Sequence, residues 1–343
     1  MPSTFSPKSG CWVSVEDMIP LYPLGYISTE RQHLCPYAGG VKNLALSPEV
    51  REALESKKPV VALESTIISH GLPRGQNLES AKGWENQVRE AGATPATIAV
   101  IDGVPTVGLE PHQLERIANE DVAKVSVRDL PVVMGLGVSG ATTVASTAYL
   151  ANLAGIRVFA TGGLGGVHRG ASEDFDESAD IPVLAQTPIT VVSAGVKSIL
   201  DIGATLERME TSSVAVLGYQ TSVFPAFWLR ESAYALEWRV EEPSEVAAVM
   251  AARDELSQRG GIVVANPVPA EAQWDPDRHD QILAQALADA DRQGIRGNEV
   301  TPFLLAAVVE ASGGESLRVN LDLVTNNVAL ASQIAIAWAQ RRP

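Results

Sequence analysis

One stretch, residues 158–201, sets side chains that could attack carbon, bind phosphate or hold a hard cation close together in sequence. A strand-like apolar run at 156–160 leads into a loop, 161–170, that reads TGGLGGVHRG. Glycine lets backbone approach a ligand closely and leaves amide N–H groups free to meet an anion. So many glycines lose backbone entropy on folding, which favours a ligand cradle over a plain packed loop. His168 and Arg169, in the same loop, can reach a phosphate. An acidic segment follows, carrying Glu173, Asp174, Asp176, Glu177 and Asp180. A charge run is usually a solvated surface, but carboxylates beside a phosphate cradle repel the ligand unless a cation intervenes. Mg²⁺ or Mn²⁺ held by one carboxylate and waters would supply that cation, and any of these acids could be the ligand. A β-branched run at 189–193 then ends at Ala194 and Gly195. Lys197 follows, in what the pattern makes the first turn of a helix over 198–207. Lysine is rarely buried unpaired. Burial, a helix N-terminus and a nearby metal would each depress its pKa toward a reactive amine. The plainer alternative is a snorkelling lysine paired with Asp201 at i, i+4.

Outside this stretch, Glu64 ends an apolar strand in residues 62–71, ALESTIISHG. Apolar surroundings raise a carboxyl pKa and make a usable general acid, whereas a strand-end glutamate paired with arginine or lysine would be structural. His70 reads as a hydrogen-bonded structural histidine, and His112 and His279 as exposed residues on polar helices. Residues 135–140, GLGVSG, match the G-x-G-x-x-G pattern of dinucleotide sites. Residues 130–171 contain no Asp or Glu to hold a ribose hydroxyl, so that reading is weak. A glycine-rich turn into a helix, with Thr142 and Thr143 near an anion, is the alternative.

The elements that must position these residues follow from periodicity. Strands are expected at 59–63, 96–101, 123–127, 131–134, 156–160, 189–193, 214–217 and 262–265. Helices are expected at 77–91, 110–119, 141–153, 198–207, 244–258, 278–293, 301–311 and 321–340. Strands alternating with helices give an α/β fold with a largely parallel sheet. Residues 42–343 read as one domain. Residues 1–41, with five prolines and little periodicity, read as a poorly ordered extension.

Composition excludes several classes. The net charge of −15 over 343 residues argues against nucleic acid or an anionic membrane as partner, while leaving room for a local phosphate site. Aromatics make up 5%, too few for base-stacking platforms. The two cysteines, Cys11 and Cys35, leave the rest of the chain without thiolate ligands or disulfides and point to a reducing cytoplasm. No apolar run approaches a membrane span.

Many short segments together resemble one family, pseudouridine-5′-phosphate glycosidase, also called the indigoidine-synthase-A-like family. They are 62–71 (ALESTIISHG), 95–101 (PATIAVI), 124–131 (KVSVRDLP), 140–147 (GATTVAST), 159–170 (FATGGLGGVHRG), 175–180 (FDESAD), 194–201 (AGVKSILD), 218–221 (GYQT), 264–267 (VANP), 301–305 (TPFLL) and Asn326-Asn327. The resemblance runs from about residue 46 to the C-terminus. It implies a three-layer α/β/α fold, a homotrimer and a divalent metal, usually Mn²⁺. It also implies interconversion of pseudouridine 5′-phosphate plus water with uracil plus ribose 5-phosphate. Carried onto this chain, it makes Glu64 the proton donor, Lys197 the covalent nucleophile and Asp176 the metal ligand. Lys124, Val144, Ser178, Ala179 and Asp180 resemble substrate-binding positions, and Thr161, His168 and Asn326 line the same pocket.

Overall fold

The computed structural model describes residues 44–296 and 300–341. The expected extension, 1–41, lies outside the described residues, as do both cysteines. Contacts group Val41–Pro343 as one compact unit.

In chain order the strands are β1 (Ala45–Leu46), β2 (Val60–Leu63), β3 (Thr94–Ile101), β4 (Val104–Val107), β5 (Ala123–Val125), β6 (Gly140–Thr142), β7 (Val158–Ala160), β8 (Thr190–Ser193), β9 (Ala215–Tyr219), β10 (Arg239–Val240) and β11 (Ile262–Ala265). The helices are α1 (Pro48–Glu55), α2 (Gln76–Glu90), α3 (Pro111–Asn119), α4 (Leu130–Leu136), α5 (Val144–Ala154), α6 (Ala171–Asp174), α7 (Asp180–Leu184), α8 (Ile202–Thr211), α9 (Pro243–Glu255), α10 (Pro276–Gln293), α11 (Val300–Ala311) and α12 (Glu315–Arg341). The strands join one sheet in the order β1-β4-β3-β2-β7-β8-β11-β9-β10, with β6 pairing β3 and β5 pairing β6. All pairings are parallel except those of β3 with β4 and with β6. The expected three-layer α/β/α fold is therefore present. The helix α12 packs against α2 and α9, and α5 packs against α7.

Strands buried on both faces read as continuous apolar runs. VVAL in β2, TVVS in β8 and IVVA in β11 are each fully buried. In the strand register, Ala62 pairs with Ala96 on one side and Phe159 on the other, while Val192 pairs with Ala160 and Val264. The adjacent parallel strands β2, β7, β8 and β11 therefore deliver their next residues to one edge. These are Glu64, Thr161, Ala194 and Asn266, and that edge is where open α/β sheets place ligands.

Several expectations are corrected. Residues 131–134 are helical, within α4, because Pro131 sits in the first turn, where its missing N–H is harmless. The expected helix at 141–153 begins only at Val144, since Gly140–Thr142 is strand β6. The G-x-G-x-x-G stretch accordingly runs the wrong way for a dinucleotide. Gly135 lies in α4, Gly137 closes that helix in the left-handed conformation at φ 66°, and Gly140 opens a strand. Lys197 is not in a helical first turn either, because α8 starts at Ile202. Asp201 is its N-cap, accepting from the Ala204 N–H at 2.9 Å, and is thus no ion-pair partner for the lysine.

The turn that carries Lys197 depends on one glycine. Gly195 has φ +84°, and a Cβ there would lie 2.3 Å from the Pro225 carbonyl oxygen. Gly195→Ala is expected to destabilise the fold by at least about 1–2 kcal/mol from the left-handed backbone alone. Urea unfolding measures this, and an unchanged midpoint would show that the turn relaxes freely.

Candidate active site

The edge formed by β2, β7 and β8 gathers a small set of ionisable groups. The Glu64 carboxyl accepts a short hydrogen bond from the Thr161 hydroxyl. Burial pushes its pKa above the ordinary glutamate value, against the opposing pull of Lys197, Thr161 and Lys124. The desolvated carboxyl of the expected general acid is thus present, and its largest charged influence is the expected nucleophile. Lys124 reaches the same place from β5. Loss of water and then the positive charge of Lys197 lower its pKa, while Glu64 and Asp180 work the other way. The residue is exposed overall, so solvent blunts these effects.

Asp180 is buried, and its carboxylate is spent on backbone. It accepts from Gly165 N–H at 2.7 Å and from Ala145 N–H, in the first turn of α5, at 3.0 Å. A negative group is favoured at a helix N-terminus. This bond ties the glycine loop to α5. The Val144 side chain lies in the core, so backbone is what it can offer a ligand. Ser178 accepts from Asp180 N–H at 3.2 Å and Ala179 is exposed.

The glycine loop is less open than its composition suggests. A Cβ on Gly163 would strike the Phe227 ring at 2.6 Å, one on Gly165 the Ser178 Oγ at 2.3 Å, and one on Gly166 the Thr205 Oγ1 at 2.4 Å. These glycines admit protein neighbours, contrary to the reading that packing could not explain them. The loop instead pairs with the acidic segment: His168 N–H donates to the Asp176 carbonyl at 3.0 Å, and Ser178 N–H to the Gly166 carbonyl at 2.9 Å.

That pairing sorts the acids. Glu177 is held by Arg208 at 2.8 Å, Asp174 accepts from the Asp176 N–H at 3.0 Å, and Asp180 is engaged by the Gly165 and Ala145 amides. Glu173, Asp174 and Asp176 line a cavity of about 440 Å³ bounded by the glycine loop, α10 and α11, and the Asp176 carboxylate lies 3.6 Å from His168 Nδ1. A cavity that size suits a small ligand, for which about 300–1,000 Å³ is usual. Glu64, Thr161, Lys124 and Lys197 do not line it, but Ile199, two residues after the lysine, does. Among the described residues no three His, Cys, Asp or Glu side chains converge as a metal cage. A hard cation held by one carboxylate and waters needs none, so Asp176 fits Mn²⁺ or Mg²⁺ on those terms.

Several roles were missed by sequence reasoning. Asn327, beside the expected Asn326, is fully buried and donates to the Thr161 carbonyl at 2.8 Å, while its own oxygen accepts from Asn266 at 2.9 Å. Asn326 donates to the Pro267 carbonyl at 3.1 Å. Ser65 and Thr142, both fully buried, share the Ile98 carbonyl at 2.6 Å, so Thr142 is used inside the fold and not on an anion. His279 is buried, not exposed. His70 sits on a single π-helical turn, Ile67–Gly71, as an exposed residue whose pKa is lowered by desolvation and by Lys124.

Comparison with known proteins is decisive about kinship. The family model described as "Indigoidine synthase A like protein" matches residues 49–337. The chain belongs to that family. Its similar relatives include a pseudouridine-5′-phosphate glycosidase of Frankia alni, 59% identical over 88% of this chain and 84% of that one. Another, of Escherichia coli, carries the same name and is 53% identical over 85% and 94%. Among solved structures, the prealnumycin C-glycosynthase AlnA in complex with ribulose 5-phosphate superposes with a TM-score of 0.82 at 37% identity, covering 87% of this chain and 98% of that one. An indigoidine synthase A-like protein from Thermotoga maritima gives 0.78 at 35% identity, covering 85% and 95%. No helix among the described residues is long and apolar enough to cross a membrane.

The raised Glu64 pKa has a stability signature. Between the ordinary glutamate value and the raised one, the folded state binds more protons than the unfolded chain. Stability is therefore fully present below the ordinary value and is lost as pH rises through the folded value. Glu64→Gln cannot ionise and is expected to melt above wild type at about pH 8, the gap closing toward about pH 4.3. A gap independent of pH would remove burial of the carboxyl as its cause.

Proposed function

We propose that this protein reversibly cleaves the C-glycosidic bond of pseudouridine 5′-phosphate to uracil and ribose 5-phosphate, through a Schiff base between Lys197 and ring-opened ribose. The observation that carries the reading is the Glu64 carboxyl, bonded by Thr161, its pKa raised by desolvation, within electrostatic reach of Lys197. The names of the curated relatives supply the substrate, and the sugar phosphate in the AlnA complex supports a site for a phosphorylated pentose.

The bond to be cut joins ribose C1′ to a ring carbon of uracil. With no heteroatom leaving group, paired-carboxylate glycosidase chemistry is poorly suited. In the proposed course the Lys197 amine attacks C1′ while Glu64 protonates the ring oxygen, and the C1′–O4′ bond breaks. Protonation of uracil at its ring carbon then lets the C1′–C bond break. The lysine nitrogen lone pair forms the imine, and the bonding electrons return to uracil. Water adds to C1′ and releases ribose 5-phosphate with the free amine. Lys124, Ser178 and His168, with glycine-loop amides, would bind the sugar phosphate, whose binding energy holds C1′ in place. Ala179, Asp180, Val144 and Asn326 belong to the same proposed substrate surface. A divalent cation at Asp176, Mn²⁺ or Mg²⁺, would offset phosphate charge and order water. We further propose a cytoplasmic homotrimer whose partners are small molecules.

Incubating the protein with Mn²⁺, uracil and ribose 5-phosphate should yield pseudouridine 5′-phosphate by mass. Borohydride added to enzyme and ribose 5-phosphate should leave an adduct on Lys197 and not on Lys124. Lys197→Ala and Lys197→Arg should show neither adduct nor turnover, since a guanidinium stays protonated. Near-wild-type turnover by Lys197→Ala would sink the covalent course.

Asp176→Ala should abolish turnover while the melting temperature holds, and excess Mn²⁺ should restore part of it. Full activity in that variant, or in chelator-treated wild type, would remove the metal from Asp176.

A further inference from the structure

The loop that carries Lys197 is gripped by an aromatic and imidazole cluster that takes no part in the proposed chemistry. His279 lies in the first turns of α10, is 3% exposed, and spends both ring nitrogens. Its Nδ1 lies 2.9 Å from an Asp280 carboxylate oxygen and its Nε2 lies 3.0 Å from Ser198 Oγ. A carboxylate only accepts, so Nδ1 carries the proton. In the neutral ring Nε2 then accepts from the Ser198 hydroxyl. The ring is wedged edge-on between Trp228, at 5.9 Å, and Trp274, at 5.7 Å, and the two indoles meet each other at 5.6 Å. Ser198 is the residue after Lys197.

The same cluster holds the loop at its other end. Phe227, in edge contact with Trp228 at 5.1 Å, donates its N–H to the Ala194 carbonyl at 3.0 Å. Arg169 donates to the Ser198 and Ile199 carbonyls, both at 3.3 Å. Between these points the Lys197 N–H reaches the Leu164 carbonyl at 3.2 Å. A site that needed only filling would take a leucine at lower desolvation cost than an imidazole with two polar nitrogens. Since α8 begins only at Ile202, helical hydrogen bonding does not fix the lysine.

We infer that His279 is a positioning residue for Lys197, acting through its hydrogen bond to Ser198. The inference rests on the proposed function for the lysine's role as nucleophile. The placement of the lysine loop can also be read without it. A small misplacement of an attacking group costs far more in turnover than in binding.

The test uses the full chain with three variants. His279→Phe keeps the ring volume and the indole contacts but offers no acceptor. His279→Gln can return an amide oxygen to Ser198. Ser198→Ala removes the bond from the other side and stands in if the first variant does not fold. His279→Phe and Ser198→Ala should each lower kcat for joining uracil to ribose 5-phosphate by about 10- to 100-fold. The KM for ribose 5-phosphate should stay within about twofold. His279→Gln should recover most of the loss, and the Phe/Ala double variant should be no worse than either single one. In parallel, trinitrobenzenesulfonate labelling with peptide mapping should show a changed rate at Lys197 and an unchanged rate at Lys124. If wild type makes no product, the functional reading falls and the labelling contrast alone decides the positioning role. Wild-type labelling of Lys197 in His279→Phe would overturn the inference. So would a His279→Gln variant as impaired as His279→Phe, which would reduce the residue to packing.

Discussion

The hydrogen bond from Thr161 to Glu64 is the constraint on which the rest of the site depends. It joins the ends of two neighbouring parallel strands and sits where a carboxyl has been taken out of water. An unpaired buried carboxylate would be costly. Here the hydroxyl, the nearby lysine and a raised proton affinity share the burden. Thr161 can serve because its own backbone is held twice, by the Val192 carbonyl and by Asn327 from the long C-terminal helix. The acid's partner is thus fixed in turn by two fully buried residues.

Around that bond the fold assigns separate duties. The main parallel sheet presents Glu64, Thr161 and the Lys197 loop. The offshoot β5–β6, attached antiparallel to β3, presents Lys124 from beside a second small core that includes Leu114, Ile117 and Val122. The glycine loop and the acidic segment form a ribbon that puts Asp176 on the wall of a cavity that Glu64 and the two lysines do not line. Two lysines with unlike surroundings therefore approach one carboxyl from structurally independent supports.

Much of this was legible in the residues. Runs rich in β-branched residues marked the buried strands, because parallel strands covered on both faces read as near-continuous apolar runs. Glu64 and Lys197 stood out as charges soon after such runs. What could not be read was where helices start, and what buried polar groups do. Residues 131–134 looked like a strand because Val132 and Val133 are β-branched, and tertiary context overrode that weak preference. His279 lay in a helix rich in polar residues. Only the fold shows that its ring meets two tryptophans 51 and 5 positions away in sequence. Asn326 and Asn327 are adjacent, and a helix turns them to different faces. One residue's difference separates a bond to Pro267 from the bond to Thr161. The loop glycines were read from the wrong side of the backbone, because sequence does not show whether a missing Cβ makes room for a ligand or for Phe227.

The order of the strands also sets a timetable. Strand β11 fills the slot between β8 and β9, and Asn327 arrives later still, on the last helix. During synthesis, Glu64, Thr161 and Lys197 all leave the ribosome well before the residues that complete the sheet and secure the threonine. Contacts this distant in sequence form slowly and leave apolar strand edges waiting for partners. A chain released early would carry Glu64, Thr161 and Lys197 without the Asn327 bond that completes the threonine's restraint.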